Sequence, residues 1–384
     1  MPFSTQAFAQ KLSNLRQSFG NSLNEITDAT GIDINSLQAF ESASAIPSGD
    51  DVLILSDYFK CEFTWLIEDD EPNPDENAIH MLRSESGRLV AADRHAIAEF
   101  LHLCKSQALL EELLNIRPKD TEFKFMPKGN YYKGHGKDCA YLFREWNKLP
   151  YNSVIPDIFK WLRDSGFRVF RRSLPNSDVS GLYIRHPYAG HCILVNYAED
   201  IYRQRFSVAH EAGHALMDAN IPFNVSDQSD DSSQEFKEIR ANSFASCFLM
   251  PSELLTKLGT QEQWRRPEKI IEVADRLSVS ILALLSALKR DNIIDDQTRS
   301  TLRSMKLRLP IKNEPELSGD LSERQRERKK ALLAAGLHTD YVSTAFEAHR
   351  QRLISLAKLA DILLVDTRDV AELADIFGMS LRHG

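Results

Sequence analysis

Cysteines and long apolar runs are what this sequence of 384 residues has least of. The five cysteines form no C-x-x-C pair, which argues against a zinc site built on thiolates and favours reduced thiols in a cytoplasmic protein; they are Cys61, Cys104, Cys139, Cys192 and Cys247. No run of about eighteen apolar residues occurs, so we expect no membrane-spanning helix. The first residues lack a basic segment followed by an apolar one, so we expect no secretory signal.

Positive charge is scarce at the start of the chain. Residues 1–70 contain only Lys11, Arg16 and Lys60 against eleven acidic residues, so this region alone accounts for the net charge of −8. The rest of the chain is therefore neutral overall. Because contacts with phosphates require cations, we expect residues 1–70 to bind duplex DNA weakly, if they bind it at all.

One stretch, from Phe206 to Met217, contains the pattern H-E-x-x-H. It places His210 and His214 four residues apart, and on an α-helix such positions lie on one face, where both imidazoles can bind one metal ion. Glu211 lies one position further round the helix, where its carboxylate can act as general base on a water bound by zinc. The pattern therefore predicts a zinc site with His210 and His214 as ligands and Glu211 as the catalytic residue.

A second stretch supplies the third ligand that this pattern lacks. Glu238 and Asn242 lie about one helical turn apart, downstream of the first stretch. Two histidines and one glutamate leave one position of a tetrahedral zinc open, as catalytic zinc sites do. We therefore predict Glu238 as a metal ligand and Asn242 as a residue that orients a ligand from outside the ligand set.

Taken together, the two stretches resemble the ImmA/IrrE family of zinc metallopeptidases. The likeness rests on AHEAGHAL at residues 209–216, paired with E-x-x-A-N-x-F-A-x-x-x-L-M-P at residues 238–251, and extends less specifically over residues 141–290. It implies a zincin-like (gluzincin) peptidase domain with a small sheet, the H-E-x-x-H pattern on a helix, and Zn²⁺ as cofactor. It also implies a protein substrate, typically a repressor whose cleavage relieves transcriptional repression.

The start of the chain reads as a set of short helices. Ser22 begins a capping box and Asp33 can cap the third helix. The order of these helices resembles the lambda-repressor-like (XRE) helix-turn-helix domain, in which Asn35 and Gln38 on the third helix could read adenine edges. No Arg or Lys lies on that helix to contact phosphates, so DNA binding and a docking or dimerisation role both stay open.

Four regions are expected along the chain, in an α+β protein. They are an all-helical domain at residues 1–70, an acidic linker with a helical connector at 71–140, the peptidase domain at 141–300 and a helical C-terminal domain at 301–384. The apolar stripe within residues 79–116 predicts a core or a dimer seam. If it is a dimer seam, the protein is a homodimer.

Basic and aromatic residues alternate in the connector from Pro118 to Lys137. Lys128, Lys133 and Lys137 could contact nucleic acid there, although a solvated linker is the alternative. In the last region we expect two amphipathic helices, Tyr341–Leu364 and Thr367–Phe377.

Short strands are predicted at Phe167–Phe170, Gly181–Ile184 and Cys192–Val195. Because the last of them directly precedes the H-E-x-x-H helix, we expect its edge to pair with an extended substrate. Residues 220–234 are polar and form either a lid or a plain flexible connection.

Three further residues of this region could stabilise the oxyanion of the reaction. They are Tyr183, His186 and Tyr202. The sequence does not choose among them, and a structural role is the alternative for each.

Three functions are compatible with these patterns. The first is a cytoplasmic zinc protease that cleaves a regulatory protein in a stress- or phage-related transcriptional response. The second is a DNA-binding regulator whose zinc-peptidase fold is a sensor or scaffold, and the third is an antitoxin-type interaction protein without catalysis. The complete set of His210, Glu211, His214 and Glu238 favours the first, since a scaffold has no need of Glu211.

Overall fold

The computed structural model describes residues 3–68, 75, 89–116, 123–127, 131–174, 178–218, 223–225, 232–310, 314–317 and 321–381. This part of the chain consists of helices and one small sheet, and its architecture is α+β. Within these ranges no helix is long and apolar enough to cross a membrane.

Residues 3–68 form a set of short helices. They are α1 (Thr5–Phe19), α2 (Leu23–Thr30), α3 (Ile34–Glu41), α4 (Gly49–Phe59) and α5 (Phe63–Ile67). The predicted capping box at Ser22 is confirmed, because its side chain and that of Glu25 each accept a hydrogen bond from the other residue's backbone N–H. Asp33 caps α3 as predicted. The resemblance to a helix-turn-helix domain stays a prediction.

The middle of the chain contains the sheet. The helices and strands of this part of the chain are, in order, α6 (Ala91–Leu113), α7 (Tyr132–Trp146), α8 (Ile158–Asp164), β1 (Arg168–Arg172), β2 (Gly181–His186), β3 (Gly190–Asn196), α9 (Ile201–Met217), β4 (Phe223–Val225), α10 (Ser232–Leu249), α11 (Ser252–Leu258), α12 (Pro267–Leu277), α13 (Ile281–Arg290) and α14 (Asp296–Ser304). The strand order is β1-β3-β2-β4. β1 and β3 are parallel, and the other two pairs are antiparallel.

The place of β3 corrects one expectation. β3 comes directly before the H-E-x-x-H helix, as predicted, but it pairs with β1 on one side and with β2 on the other. Its edges are therefore both occupied, and the prediction that it pairs with a substrate is wrong. Among the described residues, β4 is the outer strand on that side of the sheet, and the sequence had not predicted a strand there.

Both faces of the sheet are buried. Side chains alternate between the faces along each strand, so Leu182 and Leu194 belong to one core, and their neighbours Tyr183 and Ile193 belong to the other. The first core also contains residues of the N-terminal helices, α6 and the C-terminal helices. The second contains residues of α7 to α14 and encloses the H-E-x-x-H helix.

The last part of the chain is more segmented than predicted. Its helices are α15 (Glu323–Ala334), α16 (Thr339–Arg350), α17 (Leu356–Ile362) and α18 (Val370–Phe377). The expected continuous helix Tyr341–Leu364 is wrong, because Arg352 adopts a left-handed φ of 61° and Ser355 caps a new helix through the Lys358 N–H.

Helix α6 joins the parts of the molecule. It packs against α1, β1, β3, α16 and α17. Its apolar stripe, including Ile97, Phe100 and Leu110, is buried within the chain, so the stripe is core. Packing within one chain therefore explains the apolar stripe that had suggested a dimer seam.

Helix α7 begins well before the point that the sequence indicated. Residues 132–137 were predicted as connector, yet they form its first turns. Gly136 explains the difference, since a Cβ atom there would lie 2.2 Å from the Arg240 carbonyl oxygen and 2.7 Å from the Phe244 nitrogen of α10. The glycine therefore allows two helices to approach closely and does not mark a loop.

Candidate metal centre

Helix α9 carries His210, Glu211 and His214 on its buried length. Asp200 caps its first turn by accepting a hydrogen bond from the Tyr202 N–H, and the helix packs against β2 and β3. His214 is fully buried, and His210 is 6% exposed. The sheet thus supports one side of the helix while the two imidazoles project from it towards α10.

Helix α10 supplies the carboxylate opposite these imidazoles. The two Glu238 oxygens divide between the histidines: Oε2 lies 3.2 Å from His210 Nε2, and Oε1 lies 3.2 Å from His214 Nε2. The two Nε2 atoms are 3.0 Å apart. One potential ligand atom from each of the three residues lies within 4.8 Å of the others, so the structure brings all three predicted ligands together.

Small residues allow α9 and α10 to approach each other. A Cβ atom at Gly213 would lie 3.1 Å from the Phe244 ring, which is tighter than ordinary van der Waals contact. Ala241 and Ala245 of α10 are buried beside it. The distance between Glu238 and the histidines therefore follows from helix packing and not from a flexible loop.

Each imidazole is also contacted at its other nitrogen. Asn242 Oδ1 lies 3.1 Å from His210 Nδ1, as the predicted orienting role requires. Asp218 Oδ2 lies 2.9 Å from His214 Nδ1, and Arg240 of α10 donates a hydrogen bond to the other Asp218 oxygen. When Nε2 is the ligand atom, Nδ1 carries the proton, and both oxygens can accept it.

The sequence reasoning missed Asp218 and Arg240. Asp218 follows His214 by four residues, which puts it on the same side of the helix end, and this spacing was a usable signal. Arg240 gave no such signal, because its contact with Asp218 exists only once α9 and α10 pack together.

Glu211 lies on the side of α9 that faces the sheet. Glu211 is only 1% exposed to solvent. A Cβ atom at Gly181 of β2 would lie 3.1 Å from Glu211 Cγ and 3.2 Å from Glu211 Oε1, so the glycine leaves room for this carboxylate. Glu211 is not among the three clustered ligand residues, which keeps it available for a proton-transfer role.

Hydrogen bonds within the cluster shift the pKa values of Glu238 and His214 in opposite directions. Burial raises the pKa of Glu238, but hydrogen bonds from His210 and His214 outweigh burial and lower it to about 2. Burial lowers the pKa of His214, but hydrogen bonds to Asp218 and Glu238 outweigh it and raise it to about 9. A cation can therefore replace a proton in this cluster, and the donor set of two imidazoles and a carboxylate fits Zn²⁺.

Comparison with known families assigns the region around this cluster. Residues 162–289 match the model of the IrrE N-terminal-like domain, Peptidase_M78. The matched region runs from the end of α8 through the sheet, α9 and α10 to α13. It supports the peptidase part of the predicted resemblance and suggests a metallopeptidase. A search of curated proteins gave no match.

The stretch that matches the IrrE N-terminal-like model is shorter than the predicted peptidase domain. It begins at residue 162, whereas the resemblance was expected from residue 141. Helix α7 lies before it, although α7 packs closely on α10. Helices α1 to α6 lie outside the match as well, and no family match supports the helix-turn-helix prediction.

The three candidates for oxyanion stabilisation all have other contacts. Tyr183 Oη lies 2.8 Å from His191 Nδ1, and His186 Nε2 lies 3.1 Å from Asp75 Oδ1. Tyr202 donates a hydrogen bond to Asp275 at 2.9 Å. Each of these contacts is with a residue outside the metal cluster, and the oxyanion role stays a prediction for all three.

The predicted DNA-reading residues, Asn35 and Gln38, are exposed on α3. The cations that would have to support them are engaged elsewhere. Arg16 forms two hydrogen bonds with Glu41, at 2.6 and 2.9 Å, and Lys60 pairs with Asp57 at 2.6 Å.

Lys11 completes the cations of this region. Its Nζ donates to the Trp65 and Glu68 carbonyl oxygens and lies over the Trp65 ring. With all three cations bound by the domain itself, its capacity to contact phosphates is small.

Two other predicted features fall partly outside the described residues. Within the suggested lid, residues 223–225 form β4 and residue 232 begins α10, while the positions between them are not described. Lys128 is likewise not described. Lys133 and Lys137 lie on α7, where Lys137 lies over the Tyr141 ring.

Proposed function

We propose that this chain is a zinc-dependent, site-specific protease that acts on a regulatory protein. The observation that carries the proposal is the cluster of His210, His214 and Glu238. Glu211 lies beside it, on the same helix as the two histidines. The cluster lies within the stretch that matches the IrrE N-terminal-like domain. A repressor or another partner of a transcriptional response is the expected substrate.

Four side chains divide the chemistry. His210, His214 and Glu238 hold the metal, with Asn242 and Asp218 orienting the two imidazoles. A bound Zn²⁺ supplies a Lewis acid and lowers the pKa of a coordinated water. Glu211 accepts a proton from the attacking water and later delivers it to the leaving amine, which is the work of a general acid–base group.

A catalytic role explains the site better than a scaffold role does. Structural zinc sites are usually closed by four protein ligands, whereas the cluster among the described residues offers three. The buried Glu211 has no purpose in a scaffold, yet β2 has a glycine where a larger residue would press on its side chain. These two observations favour hydrolysis over the sensor and antitoxin alternatives.

The substrate backbone is expected at β4. This strand is the outer one of the sheet and follows α9 directly, so an extended peptide could add to it by main-chain hydrogen bonds. Such pairing would fix the peptide without strong demands on its sequence, and the side chains around the site would then select the cleaved bond.

The test is a cleavage assay with purified full-length protein and a candidate repressor encoded beside it. We expect about one zinc per chain, cleavage at one bond, and loss of cleavage when the metal is chelated. His210→Ala and Glu238→Ala should each lose most of the zinc. Protein that holds no divalent metal after purification with added zinc would contradict the proposal.

A further inference from the structure

A cavity of about 580 Å³ lies where three parts of the chain meet, away from the metal cluster. Its walls come from the end of α6, from α8 and the start of β1, and from the beginning of α16; no residue of α9 or α10 lines it. Its volume falls in the range of small-molecule sites, about 300–1,000 Å³. Four of its lining residues, Gln107, Arg163, Arg168 and His338, have a buried polar atom without a hydrogen-bond partner in the described structure, and Arg163 and His338 are the two donors that bear on the inference.

Arg163 is the first of these residues. Its side chain is 7% exposed, yet its contact with an acceptor is a single 3.5 Å approach of Nη2 to Asp340 Oδ2, and its buried Nε has no partner in the described structure. The Nε of buried Arg144 also lacks a partner, but its two Nη atoms donate to three carbonyl oxygens, two of them at 2.7 and 2.8 Å, so the difference lies in the Nη contacts. A buried cation with so little compensation is costly, so Arg163 is suited to an additional anionic partner.

His338 is the second. It is 4% exposed, and its Nδ1 accepts a hydrogen bond from the Tyr341 N–H at 3.2 Å. The ring proton must therefore be on Nε2, a buried atom that has no hydrogen-bond partner among the described residues. Burial, and then the charges of Arg163, Arg171 and Lys160, hold the pKa of His338 well below its usual value. The ring is thus a neutral donor in electropositive surroundings.

The nearby carboxylates hold Arg163 and Lys160 only loosely. Glu316, whose charge also acts on Arg163, already pairs with Arg171 and accepts hydrogen bonds from Thr339. Asp340 lies 3.5 Å from both Lys160 Nζ and Arg163 Nη2, which is longer than the roughly 2.7–2.9 Å of a good charge-assisted hydrogen bond. Asp164 is 62% exposed and lies 3.3 Å from Lys160. Glu111, which also lines the cavity, is already paired with Arg168 at 2.6 Å. An anion could therefore compete for Arg163 and Lys160.

We propose that this cavity binds a small ligand through a carboxylate or phosphate group, which accepts hydrogen bonds from Arg163, Lys160 and His338 Nε2–H. The N-terminus of α16 adds a favourable dipole, since Asp340 and Tyr341 in its first turn also line the cavity. Because the walls belong to α8 on one side and α16 on the other, the ligand ties the peptidase region to the C-terminal helices. The inference does not depend on proteolysis.

The test is calorimetric titration of the full-length protein with inorganic phosphate and, separately, with malonate, at constant ionic strength set with chloride. We expect saturable binding of at least one of them, with a Kd of about 1 mM or tighter. Arg163→Gln and Lys160→Gln should each weaken it about tenfold, the usual effect of losing a hydrogen bond to a charged group. His338→Asn, which keeps an acceptor for the helix cap and removes the Nε2 donor, should also weaken it.

Arg350→Gln is the matched control. It removes one cation from the far end of α16, outside the cavity, and should leave the affinity unchanged. Phosphate binding without malonate binding would identify a phosphate-bearing ligand, and the reverse would identify a carboxylate. The inference would be overturned if neither phosphate nor malonate bound saturably. It would also be overturned if all four variants bound with the affinity of the wild type. If the buried substitutions unfold the protein, Lys160→Gln decides, since that side chain is 52% exposed.

Discussion

Asp218 and Asn242 fix the orientation of the two imidazoles that are proposed to bind zinc. Asp218 is itself held by Arg240, so His214, Asp218 and Arg240 form a chain of contacts from the centre of the cluster to α10. Carboxylates in this position orient the histidine ring and increase its basicity as a ligand. The proposed metal centre thus includes residues outside the set of proposed ligands.

We predict that Asp218→Asn lowers zinc affinity about 10–100-fold, the usual effect of losing such a partner. The amide keeps the shape of the side chain but loses the charge that polarises His214. Competition with a chromogenic chelator measures the affinity. Asp296→Asn is the control, since this carboxylate is 78% exposed and pairs with Lys289 instead. Equal zinc affinity in the wild type and both variants would mean that Asp218 has no part in the centre.

At the scale of single residues, the sequence indicated those residues of the site that belong to a local pattern. His210 and His214 could be predicted because helical spacing puts them on one face, and Glu238 and Asn242 because their residue types and the family resemblance indicated them. Gly181 could not, because its proximity to Glu211 depends on a strand that packs against α9 from a distant part of the sequence.

Among the elements, the pair of α7 and α10 shows how a local rule can mislead. Residues 118–137 were predicted as a connector, and this stretch includes Gly134 and Gly136, a residue type that is unfavourable inside a helix. In the structure the helix forms because Gly136 lets the backbone of α10 approach, and packing outweighs propensity. Strand β4 was missed for a related reason, since three residues in a polar segment give no alternation to detect.

We predict that Gly136→Ala destabilises the protein by about 1–3 kcal/mol, the usual cost of overpacking a tight contact. The added Cβ atom would lie 2.2 Å from the Arg240 carbonyl oxygen, so α7 or α10 must shift. Urea unfolding followed by circular dichroism measures the loss. Gly49→Ala is the control, because a Cβ atom there meets nothing within 4 Å. A Gly136→Ala variant as stable as that control would show that the two helices are not closely packed.

For the whole molecule, one core extends from the N-terminal helices through α6 and one face of the sheet to the C-terminal helices. The predicted boundaries at residues 70, 140 and 300 rest on composition, and composition does not reveal which helices share a core. Short strands could be predicted because turn residues act locally, whereas the predicted acidic linker after residue 70 lies almost wholly outside the described residues. The central position of α6 could not, because it depends on contacts between residues far apart in the sequence.

The charge distribution leads to a prediction about DNA. We expect residues 1–70 to contribute three or fewer phosphate contacts, at about 0.9 each in the salt dependence, when the full chain binds duplex DNA at physiological salt. Any further affinity has to come from basic residues elsewhere in the chain. Asn35→Ala and Gln38→Ala should leave the affinity unchanged, because Lys11, Arg16 and Lys60 are bound within the domain. Fluorescence anisotropy over a salt series measures this. Nanomolar, sequence-specific binding that Gln38→Ala abolishes would show that local arrangement outweighs net charge.

Buried histidines should make the protein sensitive to acid. Burial lowers the pKa of His95 and of His191 to about 4, and it holds the pKa of His338 well below its usual value. Each of these groups takes up a proton in the unfolded chain below about pH 6.5 while it stays neutral in the folded one. The contribution of these neutral histidines to the free energy of unfolding is therefore fully present above that pH. It decreases as the pH falls towards 4, by at most about 1.4 kcal/mol per pH unit for each histidine.

Urea unfolding at several pH values measures this decrease. His338→Asn keeps a cap acceptor and cannot be protonated, so its stability should fall less steeply than that of the wild type between pH 6.5 and 4. An identical slope in both proteins would remove His338 from the explanation.

The most direct test of the proposed zinc protease compares Glu211→Gln with the wild type in two parallel measurements, zinc content and cleavage of the substrate. Glu211 is buried on the metal helix and is not part of the ligand cluster, so the variant should keep about one zinc per chain. The amide cannot accept a proton from water, so cleavage should fall about 10²–10⁴-fold. Equal cleavage by both proteins, with zinc present in each, would contradict the account, because Glu211 would then have no part in the cleavage.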